Sequence, residues 1–227
     1  MTETQIPKAI GETTSFAAIE ERFKKIEEVV KARPPGTAPA IDMEEKRRKQ
    51  DELRRQAGIP KRHAKRQDFA GEQWKAKLAS MRERIGTGFI VALVGTRGVG
   101  KTQMGVEMVE AQIESLRSAQ FTTAMDVFLS IKASFRRDAS VDERQIVEDY
   151  CRPKFLVIDE VQERAESAWE DRILTHIINT RYNDEKDTLL IGNITPEAFK
   201  EAMGNSVVSR LIETGGIMSC DWESFRK

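Results

Sequence analysis

From Phe89 onward, short runs of consecutive apolar residues alternate with longer stretches in which apolar residues recur every three or four positions. The short runs predict strands over 89–94, near 121–124, over 154–159 and 188–193, and near 216–220. The longer stretches predict helices over 101–117, 125–136, 141–150, 164–182 and 196–203. Phe155-Leu156-Val157-Ile158 and Leu189-Leu190-Ile191 show no polar alternation, so these strands are expected to be buried on both faces. Such strands, alternating with helices, predict an α/β fold in which a parallel sheet is covered by helices on both sides.

The first seventy residues follow a different pattern. Over 14–32, Phe16, Ile19, Phe23, Ile26, Val29 and Val30 form one helical stripe, which must be covered by a partner, by a second copy or by the chain's own domain. Arg33-Pro34-Pro35-Gly36-Thr37-Ala38-Pro39 cannot continue a helix and reads as a semi-rigid linker. A charged helix with little apolar face is expected over 42–57, ended by Gly58-Ile59-Pro60, and another over 72–84 leads into the first strand. The chain therefore divides into a helical segment and linker at 1–40, a basic helical linker at 41–70 and a main domain at 71–227.

Composition narrows this picture. The 227 residues carry 37 Lys and Arg against 37 Asp and Glu, so nucleic-acid binding would need local clustering, not a globally basic surface. Lys46 to Arg66 is such a cluster, with ten basic residues against Asp51 and Glu52. No apolar run approaches the roughly 18 residues of a membrane helix, and the first twenty residues are polar, which points to the cytoplasm. Cys151 and Cys220 are far apart and in no metal spacing, and His63 and His176 are isolated.

The chemistry lies at the predicted strand ends. Gly95-Thr96-Arg97-Gly98-Val99-Gly100-Lys101-Thr102 follows the first strand and fits the phosphate-binding pattern GxxxxGK[ST]. Its glycines let backbone N–H groups converge on phosphates, Lys101 supplies a mobile cation, and the Thr102 hydroxyl can ligate Mg²⁺ beside ATP. Phe155 to Ile158 ends in Asp159, suited to Mg²⁺, and Glu160, suited to polarising an attacking water. The next strand ends in Asn193, whose amide can orient that water if the three strands are neighbours. Arg210 follows, placed to neutralise charge on a nucleotide held by an adjacent subunit. The acidic pair favours a nucleotide hydrolase over a small-molecule kinase, and Glu160 speaks against an adaptor that only binds nucleotide.

Taken in order, these motifs resemble the DnaC/IstB family of AAA+ ATPases, in particular replicative helicase loaders. Further matching positions are Ala57-Gly58-Ile59-Pro60, Asp126-Val127, Ala133-Ser134-Phe135, Arg181-Tyr182, Ser209-Arg210-Leu211 and Asp221-Trp222-Glu223-Ser224-Phe225-Arg226. The resemblance implies an AAA+ core without a C-terminal lid, self-association through composite ATP sites, and an N-terminal extension that grips a hexameric replicative helicase. For that grip the candidate residues are Phe16, Ile19, Phe23, Ile26 and Val30. It also implies delivery of the helicase onto single-stranded DNA, contacted by Phe135 with Lys132, Arg136 and Arg137, which combine stacking with cationic contact. Phe128 and Phe135 share a helical stripe with Val127 and Ile131, so both also read as core residues, and the 46–66 cluster is a second candidate for phosphate contact. The alternative within the family is an IstB-like transposition helper acting on duplex DNA with a transposase.

Overall fold

The computed structural model describes residues 43–65, 71–135, 141–165 and 167–225. The chain divides at Met43, and the unit described below is Glu44–Lys227. The Phe16–Val30 stripe and the pair Arg136 and Arg137 lie outside the described residues.

The described residues form helices α1 (Met43–Gln56), α2 (Glu72–Arg82), α3 (Lys101–Glu114), α4 (Ala124–Ala133), α5 (Glu143–Cys151), α6 (Ala168–Asn183) and α7 (Pro196–Thr214). The strands are β1 (Ile90–Val94), β2 (Ala119–Thr123), β3 (Phe155–Asp159), β4 (Asp187–Gly192) and β5 (Gly216–Ser219). All pairings are parallel, in the order β2-β3-β4-β1-β5. Leu189 of β4 is in register with Val91 of β1 on one side and Val157 of β3 on the other. β4 therefore lies between the strand that enters the phosphate loop and the strand that ends in the acidic pair.

Alternate residues of the buried strands serve two separate cores. Ile90, Ala92, Val94, Leu156, Ile158 and Leu190 pack with residues of α4 to α7, while Val91, Leu93, Val157, Leu189 and Ile191 pack with α2 and α3. This two-sided burial accounts for the unbroken apolar runs.

Helix starts follow their capping residues. Thr123, Asp142, Ser167 and Thr195 accept hydrogen bonds from the N–H groups of Asp126, Gln145, Glu170 and Ala198, at 2.8–3.2 Å. Ser167 is why α6 begins at Ala168 and not at the expected 164. The α3 helix starts instead on Gly100, in the left-handed region and without a side-chain cap, which leaves that helix end suited to an anion. It ends at Glu114, short of the expected 117, with Leu116 turned to φ 56°. The last helix runs well beyond the predicted 196–203. It continues to Thr214 through a kink at Gly204, with φ 71° and ψ 164°, and so carries Arg210 on its second half.

Candidate functional site

The strand order brings the motif residues together at the C-terminal ends of β1, β3 and β4, the end where ligands bind in open parallel sheets. The loop from Gly95 to Gly100 leaves β1 and turns into α3. Gly95 has φ 140°, and a Cβ on it would lie 2.6 Å from the Cys220 carbonyl oxygen, so the close approach of β5 requires glycine there. Lys101 folds back over the loop, donating from Nζ to the carbonyl oxygens of Gly95 at 2.8 Å and Thr96 at 2.7 Å. The Thr102 hydroxyl donates to Asp159 Oδ2 at 2.7 Å, which joins the loop to the end of β3.

Glu160 follows Asp159 with φ 54°, a left-handed conformation that side-chain-bearing residues adopt at a cost. Its N–H donates to Asp159 Oδ1 at 2.7 Å, so Asp159 is held through both oxygens. Burial pushes the Asp159 carboxyl above its ordinary range, opposed by hydrogen bonds from Thr102 and the Glu160 backbone. Glu160 is also raised, first by burial and then by the negative charges of Asp159 and Glu163. Asn193 stands at the end of β4, its backbone N–H given to Gln162 Oε1 at 2.9 Å. Lys101, Thr102, Glu160 and Asn193 line a common cleft of about 670 Å³, with Arg62, His63, Arg97, Met125, Glu163 and Phe225 among its other walls. Two features of this cleft were not anticipated from the sequence. Arg97 is paired with Glu163 at 2.9 Å, and His63 Nδ1 lies 3.0 Å from Gln103 Oε1, which places the Gly-Ile-Pro lead-in against α3.

Arg210 is not among the residues lining its own chain's cleft. Its guanidinium bonds the Ser206 carbonyl and hydroxyl oxygens at 2.8 and 2.9 Å and stacks over Tyr182 at 5.2 Å, while the Tyr182 hydroxyl donates to Glu213. It is thus carried on the second half of α7, outside the cleft that the phosphate loop and Glu160 share.

The aromatic positions of α4 separate. Val127, Phe128 and Ile131 are core residues, with Phe128 only 1% exposed, whereas Phe135, beyond the end of α4, is 56% exposed. Phe135 meets Trp169 edge-on at 5.8 Å, and Lys132 sits over the same indole at 5.4 Å while pairing with Glu170 at 3.3 Å. Trp169, which the sequence did not single out, joins Phe135 and Lys132 into one surface cluster. In the basic stretch, Arg54 is committed to Glu110 of α3 through a bidentate pair at 2.8–3.1 Å, while Arg47, Arg48 and Arg55 are exposed.

The sequence matches the family of IstB-like ATP binding proteins over residues 42–227. The chain belongs to that family. Among curated relatives it is 25% identical over 134 residues to the replicative helicase loader DnaC of Buchnera aphidicola subsp. Baizongia pistaciae (strain Bp), a match covering 59% of this chain and 54% of that protein. It is also 25% identical over 133 residues to the replicative helicase loader DnaC of Escherichia coli (strain K12), covering 58% and 54%. The match therefore spans about half the length of these relatives. The crystal structure of the DnaC helicase loader superposes with a TM-score of 0.59 at 20% identity, covering 70% of this chain and 99% of that one. The replication initiator DnaA bound to AMPPCP and single-stranded DNA superposes with a TM-score of 0.60 at 17% identity, covering 73% and 51%. The fold is that of these AAA+ proteins. Among the described residues, no helix is long and apolar enough to cross a membrane.

Proposed function

We propose that this protein is an ATP-dependent helicase loader that delivers a hexameric replicative helicase onto single-stranded DNA. The observation that carries the ATPase part is the placement of β4 between β1 and β3, which sets Asn193 beside both the phosphate loop and the acidic pair. In this reading the backbone of Gly95, Gly98, Val99 and Gly100 cradles phosphates and Lys101 leaves its carbonyl partners for the nucleotide. Thr102 and Asp159 offer hard oxygen ligands, already 2.7 Å apart, of the kind Mg²⁺ takes. Bound there, Mg²⁺ would neutralise charge on the phosphates. Glu160, its carboxyl raised above the ordinary glutamate range by burial and by neighbouring negative charge, takes the proton of an attacking water that the Asn193 amide orients. Arg210 stabilises the charge developing on the nucleotide of a neighbouring copy, which couples hydrolysis to self-association.

The loader assignment draws on the relatives named DnaC and on the surface cluster of Phe135, Trp169 and Lys132, where a base can stack and a phosphate can pair. Arg136 and Arg137, which follow Phe135 in the sequence, are the further cationic contacts in this reading. The Phe16, Ile19, Phe23, Ile26 and Val30 stripe supplies the grip on the helicase, and the site of action is the cytoplasm. The match to IstB-like ATP binding proteins keeps a second reading in play, an IstB-like transposition helper, which in this reading binds duplex DNA and a transposase.

Titrating fluorescent single-stranded and duplex DNA of one sequence, each with ATP, separates the two. The loader should prefer the single strand, and Phe135→Ala should weaken that binding by about 1–3 kcal/mol with little change in melting temperature. A clear duplex preference with filament formation would transfer the assignment to the transposition helper.

A further inference from the structure

The phosphate loop is held from behind by residues far from it in sequence. The carbonyl oxygens of three successive loop residues each accept from a different donor. Gly98 accepts from the Phe225 N–H at 2.9 Å, Val99 from the Trp222 indole N–H at 2.9 Å, and Gly100 from the Trp74 indole N–H at 3.2 Å. The flanks are fixed as well, since the Cys220 N–H donates to the Val94 carbonyl at 2.8 Å and the Gly95 N–H to that of Ile194 at 3.0 Å. Lys77 of α2 covers the Trp222 ring, 5.5 Å from its centre, and donates to the Ser219 carbonyl oxygen, which holds the ammonium over the indole.

Peptide geometry turns these contacts into a functional constraint. In a trans peptide the carbonyl of one residue and the N–H of the next point in opposite directions. Drawing the carbonyls of 98, 99 and 100 toward the brace therefore turns the N–H groups of Val99, Gly100 and Lys101 away from it, as an anion nest requires. Without the brace, the Gly98 and Val99 peptides could rotate and the Gly100 carbonyl would keep only the Met104 N–H of α3, at 3.0 Å, so nucleotide binding would have to supply the missing ordering free energy. Gly100 reflects the same arrangement: its φ is 82°, and a Cβ on it would lie 2.7 Å from Trp74 Nε1, so its missing side chain makes room for the brace as well as for the turn.

We infer that Trp222 and Trp74 are positioning residues for nucleotide binding, and that with Phe225 they preorganise the phosphate loop by fixing its three carbonyls from behind. The inference rests on the reading of the cleft as an ATP site. Because the loop cradles the α- and β-phosphates, the brace should govern affinity for ATP and ADP alike and leave the hydrolytic step alone.

The test measures ATP and ADP affinity, KM and kcat for the full chain, for Trp222→Phe and Trp74→Phe, and for Lys101→Ala as a control. Both tryptophan variants should bind ATP and ADP about three- to tenfold more weakly, the range set by losing one hydrogen bond. KM should rise in step, with kcat within about twofold of wild type. Replacing Trp222 by benzothienylalanine, which keeps the bicyclic shape and lacks the N–H, should reproduce the loss and so separates donor from packing. Wild-type affinity in Trp222→Phe and Trp74→Phe, with binding abolished in Lys101→Ala, would overturn the brace while leaving the ATP site standing. Wild-type affinity in the benzothienylalanine protein would do the same even if a phenylalanine variant fails to fold. A wild-type chain that binds neither nucleotide overturns the ATP reading itself and the brace with it.

Discussion

Where the strands begin, Arg181 is fully buried and every contact it makes is a good one; where they end, Asp159 and Glu160 are held in a state their surroundings resist. Arg181 donates to Thr188 Oγ1 at 2.9 Å and to the carbonyl oxygens of Tyr150, Cys151, Pro153 and Asp187 at 2.6–3.3 Å. Burial lowers its pKa only to about 10, so it remains a cation at neutral pH, seated at the negative end of α5. Nearby, the Asp187 carboxylate accepts from the N–H groups of Gly86 and Gly88 at 2.7 and 2.9 Å. At the opposite end, burial pushes both acidic side chains upward, Glu160 is raised further by the negative charges of Asp159 and Glu163, and Glu160 carries a left-handed backbone. One sheet thus has a satisfied end that holds the fold and a strained end whose groups are ready for a ligand.

The comparison breaks most visibly at Arg181. Arg181→Met should cost about 4 kcal/mol, because it leaves buried carbonyl oxygens without donors, and should lower the melting temperature by roughly 10 °C in a thermal scan. At the other end Glu160→Gln should lower kcat for ATP hydrolysis about a thousandfold, with ATP still bound and melting temperature unchanged. Asp159→Asn sharpens the contrast further. It should abolish Mg²⁺-dependent hydrolysis yet raise the stability of the nucleotide-free protein by on the order of 1 kcal/mol, since a buried charge is removed. A loss of stability in that variant would mean that Asp159 belongs with the satisfied end.

The smallest effect is in pH. Glu160 acts as a base in its ionised form, so hydrolysis should rise with pH, with a midpoint above the ordinary glutamate value of 4.5. Glu163→Gln removes one of the charges that hold the Glu160 proton and should move that midpoint down, measured in a kcat profile. The stability linkage has the matching sign. Because both carboxyls are raised in the folded chain, their contribution is full below the ordinary carboxylate range and is lost as pH rises through the raised values.

The strained end was readable in the sequence because each of its residues sits at the end of an apolar run. β3 was expected at 154–159 and spans Phe155–Asp159, and β4 was expected at 188–193 and spans Asp187–Gly192. Asn193 needed one further fact, the strand order, which no local pattern specifies. The satisfied end was much less readable. Arg181 stands in an amphipathic helix where an arginine reads as a surface residue, and its burial depends on carbonyls some thirty positions away. The second half of α7 escaped for a different reason. Gly204-Asn205 reads as a helix stop, and Gly204 does leave helical geometry, but Val207 and Leu211 bury the segment beyond it and restore the helix.

The contact between Trp222 and the phosphate loop also sets an order of events during synthesis. The indole that fixes the Val99 carbonyl lies 123 residues after it, and β1 pairs with β4 and β5, both of which follow it in the chain. A nascent chain therefore exposes the loop and the bare edges of β1 long before their partners exist, a stage at which unpaired strands invite misassembly. The phosphate loop, made early, is thus among the last parts of the nucleotide site to receive its supporting contacts.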